Sequence, residues 1–318
     1  MNNNPLVTIL SPCYNVAKFL PTCLDSIIQQ TYSNLQIVLI DDGSKDASWS
    51  IMQKYAGKDS RIEIYHQDNQ GVAETRNRLL DKVKGDYVLF VDSDDWMELD
   101  MVEYLLEIIR MYSADMAVCK SVSLKGRVCS STYREIWSRE TAVKEFLKHT
   151  RFGGMLWNKL IRTTVICNTR FDSSISYGED ALFCWKILQK IRYVVVSNEE
   201  LYNHRPNEDS ISYQPWTPEK KGSGHFVWQK ITEDTKQSWP QYADICSTRY
   251  AIEDMWGLYF ASLANYPYDA HIKERQLNIR NNMKLLRKSN LLSLNKKLTA
   301  FVLAYCFSLG RLLKYVKR

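Results

Sequence analysis

Short apolar runs recur at regular intervals in the first hundred positions of the chain. They lie at residues 6–10, 36–40, 62–65 and 87–91 and are rich in β-branched side chains. Runs this short and this continuously apolar are typical of strands covered on both faces, as in a parallel sheet. The pattern therefore predicts four buried parallel strands.

Segments with a helical period separate these runs. Each has one apolar stripe: Leu20, Leu24, Ile27 and Ile28; Ile51, Met52 and Tyr55; and Val72, Leu79, Leu80 and Val83. Ser44 or Asp46 is the predicted N-cap of the second helix. Strands that alternate with helices in this way predict right-handed βαβ units. We therefore expect a Rossmann-like, mostly parallel α/β sheet of the nucleotide-binding type.

The rest of the chain is expected to be less regular and then helical. Helices are predicted at 98–111 and 181–188, and a strand at 193–196. Pro and Gly residues concentrate between 206 and 224, which predicts a boundary near 215. Beyond it the pattern is helical to the end, with a break at Pro267. This divides the chain into residues 1–110, residues 111–214 and a helical C-terminal region, 215–318.

Composition and charge narrow the class of protein. With 318 residues, 45% of them hydrophobic and 25% charged, the chain has ordinary globular values. Its net charge of +6 is uneven, because residues 271–318 hold 12 Lys and Arg against one acidic residue, Glu274. That segment carries +11, so the preceding residues carry −5. An acidic body with a basic tail argues against a nucleic-acid binder and favours contact with an anionic membrane surface.

Two features bear on where the protein works. The eight cysteines contain no Cys-x-x-Cys pair and mostly lie in apolar runs, which is typical of buried free thiols in a reducing compartment. The first five residues lack the basic and apolar regions of a signal peptide. The sequence therefore predicts a cytoplasmic protein.

Polar and acidic residues follow each predicted strand, at 11–15, 41–44, 68–71 and 92–95. Ligands of open α/β sheets bind beyond the carboxyl ends of the strands. The acidic run Asp92-Ser93-Asp94-Asp95 places three carboxylates together there. A hard divalent cation such as Mg²⁺ or Mn²⁺, bound together with substrate phosphates, would stabilise that charge. A solvated turn before the next helix is the alternative interpretation.

Residues at the other strand ends suit a nucleotide. Asp41 or Asp42 could accept hydrogen bonds from a base or a ribose, and Gly43 allows close backbone approach. Tyr14 could stack on a base, and Arg76 could pair with a diphosphate or hold an active-site carboxylate. The alternative for residues 41–44 is a plain turn, for Tyr14 a place in the core, and for Arg76 a surface cation.

Together these motifs resemble the N-terminal signature of family 2 glycosyltransferases. The residues concerned are Pro12-Cys13-Tyr14-Asn15, Ile40-Asp41-Asp42-Gly43-Ser44, Gly71 with Arg76-Asn77, and Val91 to Trp96. Downstream motifs resemble those of bacterial capsule, exopolysaccharide and O-antigen members: Trp157-Asn158-Lys159, Gly178-Glu179-Asp180, and Tyr202 to Arg205 with Ser210. The resemblance covers residues 5 to about 213.

The resemblance implies an A-type glycosyltransferase fold, a nucleotide-diphosphate sugar donor, a divalent metal (Mn²⁺ or Mg²⁺) and inversion at the anomeric carbon. Motifs and resemblance together give these nucleotide-binding residues: Pro12, Tyr14, Asn15, Asp41, Asp42, Arg76 and Asp94. The candidate metal ligands are Asp92, Asp94 and Asp95. The resemblance further implies that residues 1–110 would bind the donor, and that residues 111–214 would bind the acceptor and supply the catalytic base.

The downstream motifs supply the remaining candidates. By analogy with the family's Glu-Asp motif, Asp180 is the predicted catalytic base, and Glu179 would orient it or the acceptor. Acidic residues that simply favour the first turn of a helix are the alternative. Trp157, His204 and Arg205 are candidates for contact with the acceptor or the diphosphate, with structural packing as the alternative.

The end of the chain alternates apolar and basic segments. Residues 298–309 are almost all apolar, with Lys296 and Lys297 before them and four basic residues after them. A helix of this length is too short for a hydrocarbon core of about 30 Å. Residues 290–318 are therefore predicted to lie in the interface of an anionic membrane. Packing on the rest of the protein or on a second subunit of an oligomer is the alternative.

The sequence as a whole predicts a metal-dependent, inverting glycosyltransferase of the cytoplasm, peripheral on the inner face of the cell membrane. It would transfer a sugar from a nucleotide-diphosphate sugar, with a UDP-sugar as the first candidate, to a glycan or lipid-linked acceptor in surface polysaccharide biosynthesis. The alternative is a non-catalytic nucleotide-sugar-binding scaffold of a membrane complex. The first strand is followed by no Gly-x-Gly-x-x-Gly motif, and the chain has no Walker A motif, which disfavours oxidoreductases and P-loop hydrolases.

Overall fold

A computed structural model of the chain describes residues 4–122, 133–205, 216–218 and 222–310. The chain divides into two compact units. The first consists of Met1–Val143, Met155–Ser173 and Phe183–Asn207, and the second of Lys144–Gly154, Ser174–Leu182 and Glu208–Arg318. The predicted boundary at 214 and 215, like Ser210, lies outside the described residues, and the threefold division of the sequence stays a prediction.

The first unit is built on one mixed sheet. Its strands are β1 (Val7–Cys13), β2 (Leu35–Asp41), β3 (Ile62–His66), β4 (Tyr87–Phe90), β5 (Trp96–Met97), β6 (Met116–Ser121), β7 (Arg134–Ser138), β8 (Lys159–Arg162) and β9 (Tyr193–Asn203). In the described part they are ordered β3-β2-β1-β4-β8-β6-β9-β5, and β7 also pairs with β9. The first four strands are mutually parallel, whereas β8 is antiparallel to β4 and β6. The four predicted parallel strands are confirmed, but β3, at the edge of the sheet, is only partly buried.

The helices that accompany these strands are α1 (Leu20–Ile28), α2 (Ser48–Ala56), α3 (Val72–Leu80), α4 (Met101–Met111), α5 (Arg139–Lys148), α6 (Thr163–Ile166) and α7 (Glu179–Leu188). Of these, α1 to α4 and α7 lie where the periodicity predicts helices, whereas the sequence pattern predicted neither α5 nor α6. The main core of the first unit combines the strands with the apolar faces of α1 and α4. Helices α5 and α7 contribute residues to both units.

The predicted N-cap of α2 is only partly right. Ala47, rather than Ser44 or Asp46, is at that position. Asp46 Oδ1 nevertheless accepts the N–H of Ser48, the first residue of α2, at 2.9 Å. Both predicted side chains also bind the loop after β1: Ser44 Oγ accepts the Asn15 N–H at 2.9 Å, and Asp46 Oδ2 accepts the Ala17 N–H at 2.9 Å. Residues that local sequence rules assign to the helix alone thus also make tertiary hydrogen bonds.

The second unit contains the C-terminal helices. These are α8 (Ser223–Ser238), a 3₁₀ turn (Pro240–Tyr242), α9 (Ala243–Leu263), α10 (Ala270–Asn281), α11 (Met283–Lys288) and α12 (Leu294–Tyr305). Helix α9 packs against α8, α10, α11 and α12, and the core around it includes Met255, Leu258, Ile272 and Leu303. The expected helical C-terminal region is confirmed, and the break at Pro267 falls between α9 and α10.

Two further expectations concern cysteines and membrane spans. Of the described cysteines, Cys167 and Cys306 are exposed, contrary to expectation, and the others are buried and free as predicted; Cys129 lies outside the described residues. Among the helices that the structure describes, none combines the length and the apolar character needed to cross a membrane.

Candidate active site

Two loops at the carboxyl edge of the sheet are held together around Gly43. Its φ is +75°, and a Cβ at this position would lie 2.8 Å from the Asn69 nitrogen and 3.3 Å from the Gln67 carbonyl oxygen. Only glycine adopts this backbone conformation readily and also leaves the necessary space. The loop after β2 therefore packs directly on the loop after β3.

Asp42 fastens these same loops. Its side chain is buried and accepts three hydrogen bonds, from Gln67 Nε2 at 2.7 Å, the Gln70 N–H at 2.8 Å and the Gly71 N–H at 2.9 Å. A buried carboxylate is stable when donors surround it in this way. The three hydrogen bonds to Asp42 therefore hold the loop that leads into α3.

Asp41 has a different environment. It is fully buried, and its Oδ2 lies 2.8 Å from His66 Nδ1 and accepts the Ser44 N–H at 3.3 Å. Its Oδ1 is buried without a hydrogen-bond partner. Such an orphaned acceptor is costly and is satisfied when a ligand supplies an N–H or O–H group. Of the two carboxylates, Asp41 therefore has the acceptor oxygen left over.

The loop after β1 carries the predicted base-stacking residue. Asn15 has a φ of +51°, donates its N–H to Ser44 Oγ, and accepts the Lys45 N–H on Oδ1 at 2.8 Å. These bonds fix the turn after Pro12, which is partly buried in β1. Tyr14 is 48% exposed, so its ring is accessible to a ligand.

The three carboxylates after β4 separate into an inner residue and two outer ones. Asp95 is 1% exposed; its Oδ2 accepts the Tyr202 hydroxyl at 2.9 Å and its Oδ1 accepts the Arg205 N–H at 2.7 Å. Asp92 and Asp94 are only partly buried. Asp92 pairs with Arg76, whose Nη2 lies 3.1 Å from Asp92 Oδ1. Asp92 and Asp94 are therefore the carboxylates that a ligand can reach.

Tyr202, which lies in β9, supports this run from behind. Besides its bond to Asp95, its hydroxyl accepts the Asp92 N–H at 3.1 Å. The Trp157 ring stacks on it, with centroids 4.5 Å apart, and His204 is exposed 6.2 Å from Trp157. In the sequence, Tyr202 stands out only as the first residue of the motif that runs to Arg205. The signal that could have singled it out is a hydroxyl-bearing residue within a strand.

Electrostatics at the run favour a cation. Burial, with repulsion from Asp92 and Asp94, raises the pKa of Asp95 to about 8, although the bonds from Arg205 and Tyr202 favour its ionised form. Burial also raises the pKa of Tyr202 well above its usual value. A nearby positive charge would relieve the repulsion among the carboxylates.

The donor set fits a divalent ion that shares its coordination with a substrate. Within the described ranges, no group of three or more His, Cys, Asp or Glu side chains could hold a metal by itself. Mg²⁺ commonly takes one or two carboxylates and fills its other positions with phosphate oxygens and water. Asp92 and Asp94 are suited to that arrangement, whereas Asp95 is already occupied by protein donors.

Arg205 and Arg76 hold the run in place. Arg205 donates from Nε to the Asp94 carbonyl oxygen at 3.0 Å, and its guanidinium lies over the Phe19 and Trp96 rings at 5.1 and 4.6 Å. Arg76 is 8% exposed and lies 5.7 Å from the Phe171 ring centroid. Arg76 therefore has the predicted carboxylate as its partner, and Arg205 orders the acidic run through the backbone.

Glu179 and Asp180 belong to the second unit. They open α7 directly after Gly178, whose φ is +86°. Glu179 is buried, and Asp180 is partly exposed and accepts the Ala181 N–H on Oδ1 at 2.7 Å. A Cβ on Gly154 would lie 2.5 Å from the Ala181 Cα, so this glycine allows the segment to pack closely on the start of the helix.

Comparisons with known proteins agree with the motifs. The family model described as Glycosyl transferase family 2 matches residues 8–175. The glycosyltransferase GlyA of Streptococcus pneumoniae is 36% identical over 223 residues, which cover 66% of this chain and 32% of that protein. The uncharacterized glycosyltransferase EpsJ of Bacillus subtilis is 32% identical over 223 residues, 67% of this chain and 65% of that protein. The chain thus spans less than two thirds of the length of either relative.

Solved structures show the same fold. TarS of S. aureus (residues 1–349, in complex with UDP-GlcNAc) superposes with a TM-score of 0.70 at 18% identity, over 98% of this chain and 91% of that one. The mannosyltransferase PcManGT of Pyrobaculum calidifontis, in complex with GDP-Man and Mn²⁺, gives a TM-score of 0.59 at 14% identity, over 97% and 88%. These matches confirm the expected A-type fold. Since the family model spans more than half of the residues, the chain belongs to glycosyl transferase family 2.

Proposed function

We propose that the protein transfers a sugar from a UDP-sugar to a hydroxyl group of a glycan or lipid-linked acceptor, in surface polysaccharide biosynthesis. The observation that carries the proposal is the sheet edge. An exposed ring (Tyr14), an orphaned acceptor oxygen (Asp41 Oδ1) and two accessible carboxylates (Asp92 and Asp94) all lie at or just after the carboxyl ends of strands in the first unit. The UDP-GlcNAc bound by the TarS structure supports UDP as the nucleotide.

The donor side uses these groups to bind and orient. Tyr14 would stack on the base, and Asp41 Oδ1 would accept a base N–H. Asp92 and Asp94 would hold a divalent cation, which, when bound, stabilises the charge that develops on the leaving diphosphate. Tyr202, Asp95 and Arg205 would keep those two carboxylates in position through the hydrogen bonds described above.

The acceptor side needs a group that takes a proton. We assign this role to Asp180: its carboxylate accepts the proton of the acceptor hydroxyl as the oxygen bonds to the anomeric carbon. The bond between that carbon and the diphosphate oxygen breaks in the same step, and the nucleoside diphosphate departs with the electron pair. A single displacement of this kind inverts the anomeric configuration.

A nucleotide panel tests the proposal. The thermal midpoint of the protein is measured with UDP, GDP or ADP, each with and without MnCl₂. At 100 times its dissociation constant, a ligand stabilises the folded state by about 2.7 kcal/mol. We expect UDP with Mn²⁺ to raise the midpoint by several degrees, and the double variant Asp92→Asn/Asp94→Asn to lose the metal dependence. Asp81→Asn, which changes an exposed carboxylate paired with Arg170, is the matched control.

The outcomes separate the alternatives. If no nucleotide shifts the midpoint, with or without metal, the proposal is wrong. A scaffold would bind UDP-sugar yet release no UDP. Slow release of UDP in the presence of Mn²⁺ and a donor sugar instead supports a transferase.

We further propose that α12 lies on the inner face of the cell membrane. The side chains of Leu294, Leu298, Phe301 and Tyr305 are spaced four, three and four residues apart, and each is more than half exposed. The opposite face of α12, with Ala300, Leu303 and Ala304, is buried in the core of the second unit. One face thus packs on the protein, and the other offers apolar side chains between basic segments, as interfacial helices do. Residues 311–318, with four of the basic side chains, lie outside the described residues.

Vesicle flotation measures this contact. We expect binding to vesicles of phosphatidylcholine with 30% phosphatidylglycerol and at least tenfold weaker binding to phosphatidylcholine alone, because each nearby basic residue adds about 1 kcal/mol on an anionic surface. Leu298→Glu/Phe301→Glu should abolish binding without a change in thermal midpoint. Leu277→Glu, on α10 and 53% exposed, is the control. Equal binding to both vesicles, or an unaffected double variant, would contradict the proposal.

A further inference from the structure

The second unit contains a cleft that the proposed transfer chemistry does not use. Its volume is about 440 Å³, within the range of roughly 300 to 1,000 Å³ typical of small-molecule sites. It is lined by α8, by α10 and by the segment that precedes α7. The lining side chains that matter here are Ser176, Ser223, His225, Phe226, Gln229 and Glu274.

A buried polar network fixes one wall of the cleft. Asp254 is fully buried in α9; its Oδ1 accepts hydrogen bonds from His225 Nδ1 at 2.7 Å and Arg275 Nη1 at 2.8 Å. Its Oδ2 accepts from Asn278 Nδ2 at 2.7 Å. Buried charges are retained only when they are paired in this way. Three helices are therefore locked together at the residues that face the cleft.

The network leaves the cleft rigid and rich in hydrogen-bonding groups. His225 Nε2 lies 2.9 Å from the Tyr250 hydroxyl and 3.4 Å from Glu274 Oε1, and Glu274 is largely exposed. Arg275 also donates from Nη2 to the Gly222 carbonyl oxygen at 2.8 Å. Both terminal nitrogens of this guanidinium thus already bind the protein, which leaves it poorly suited to a phosphate.

The lining matches a ligand with many hydroxyl groups. Phe226 is 43% exposed, with the Lys230 ammonium 4.3 Å from its ring centroid. An aromatic surface packs well against the C–H face of a sugar. The amide of Gln229 and the hydroxyl of Ser176 can donate to and accept from sugar hydroxyls, and the carboxylate of Glu274 can accept from them.

The cleft adjoins the segment that carries the proposed base. Ser223 Oγ accepts the Tyr177 N–H at 2.9 Å and donates to the Tyr177 carbonyl oxygen at 2.9 Å. The next residue, Gly178, lies against Val227: a Cβ on Gly178 would be in contact with Val227 Cγ2 at 3.6 Å. Glu179 and Asp180 follow directly. A ligand held in the cleft would therefore lie beside the turn that leads into Asp180.

We propose that this cleft binds sugar units of the acceptor, as a neutral, polyhydroxylated oligosaccharide. The inference rests on the proposed function, because only a transferase would use the bound glycan as its acceptor. Binding of a glycan to the cleft can be measured separately from transfer. The cleft would set which glycan is extended, and the nucleotide site would set which sugar is added.

An array of neutral oligosaccharides of two to six sugar units, probed with the labelled full-length protein, tests the inference. We expect the wild type to bind at least one glycan and the variants Phe226→Ala and Glu274→Gln to lose at least tenfold in affinity. Both positions are exposed, so the fold should persist. Leu277→Ala, on α10 outside the cleft, should bind like the wild type, and the thermal shift with UDP should be equal in all four proteins.

The results distinguish this inference from the proposed function. An array without a bound glycan, or equal glycan binding by the wild type and the cleft variants, would overturn the inference even if UDP binding persists. Glycan binding that depends on Phe226 and Glu274, in a protein that binds no nucleotide, would leave the glycan site standing and remove the transferase assignment.

Discussion

Replacing Asp180 by Asn is expected to lower the turnover number for sugar transfer about a thousand-fold while leaving the affinity for UDP unchanged. A positioned general base contributes roughly 10² to 10⁴ in rate, and an amide cannot take the proton. The substitution is structurally mild, because Asn keeps an oxygen that can accept the Ala181 N–H in place of Asp180 Oδ1. Release of UDP with acceptor present measures the turnover, and the thermal shift with UDP measures the nucleotide site.

The control separates chemistry from helix stability. Asp81→Asn removes an exposed acidic residue that is paired with Arg170 and should leave turnover within twofold of the wild type. If Asp180→Asn keeps more than a tenth of the wild-type turnover, Asp180 is only an acidic residue in the first turn of α7. That result would move the search for the base to other carboxylates and leave the nucleotide site unaffected.

Sequence patterns were sufficient for β1, β2 and β4 because burial on both faces leaves a continuous apolar signal, whereas β3 lies at the edge of the sheet and is only partly buried. Strands β1 to β4 begin and end within three residues of the predicted runs. No comparable signal marks β5, which has two residues and exists only by pairing with Tyr202 and Asn203 of β9. Strand β8 begins at Lys159 and ends at Arg162, so its polar ends hide it from an apolar pattern.

At the site, the sequence predicted which segments meet but not how each side chain is used. Parallel strands bring their carboxyl ends to one edge, so the residues after β1, β2 and β4 could be grouped from strand order alone. The two carboxylates are used differently because of tertiary contacts. Asp42 binds Gln67 in the loop after β3, whereas Asp41 contacts His66 and keeps one oxygen without a partner.

The same limitation applies to the acidic run. Asp95 is held by Tyr202, 107 positions away, and by the backbone of Arg205. No local rule distinguishes it from Asp94, its neighbour. The sequence alone therefore leaves three candidate metal ligands. In the structure, Asp92 and Asp94 are accessible to a cation, whereas Asp95 is buried and hydrogen-bonded to the protein.

Replacing Gly43 by Ala is expected to lower the free energy of unfolding by about 2 to 5 kcal/mol and to weaken UDP binding. Left-handed backbone costs a residue with a Cβ roughly 1 to 2 kcal/mol, and overpacking adds about 1 to 3 kcal/mol. Both apply here, because φ is +75° and the new Cβ would lie 2.8 Å from the backbone nitrogen of Asn69. Relief of that contact would separate the two loops that Asp41 and Asp42 hold. Urea unfolding gives the free energy, and titration with UDP and Mn²⁺ gives the affinity.

Two other glycines allow strain and contact to be measured apart. Gly71 has a φ of +86° and a ψ of 161°, which is a glycine-only region of backbone space, and a Cβ at this position would have nothing within 4 Å, so Gly71→Ala should cost only the backbone strain, about 1 to 3 kcal/mol. Gly57 has an ordinary φ of −72° and ordinary contacts at 3.5 Å, so Gly57→Ala should be neutral or slightly stabilising. If Gly43→Ala costs no more than Gly71→Ala, the close approach of the two loops is not what shapes the nucleotide edge, and the role given to Asp41 loses its structural basis.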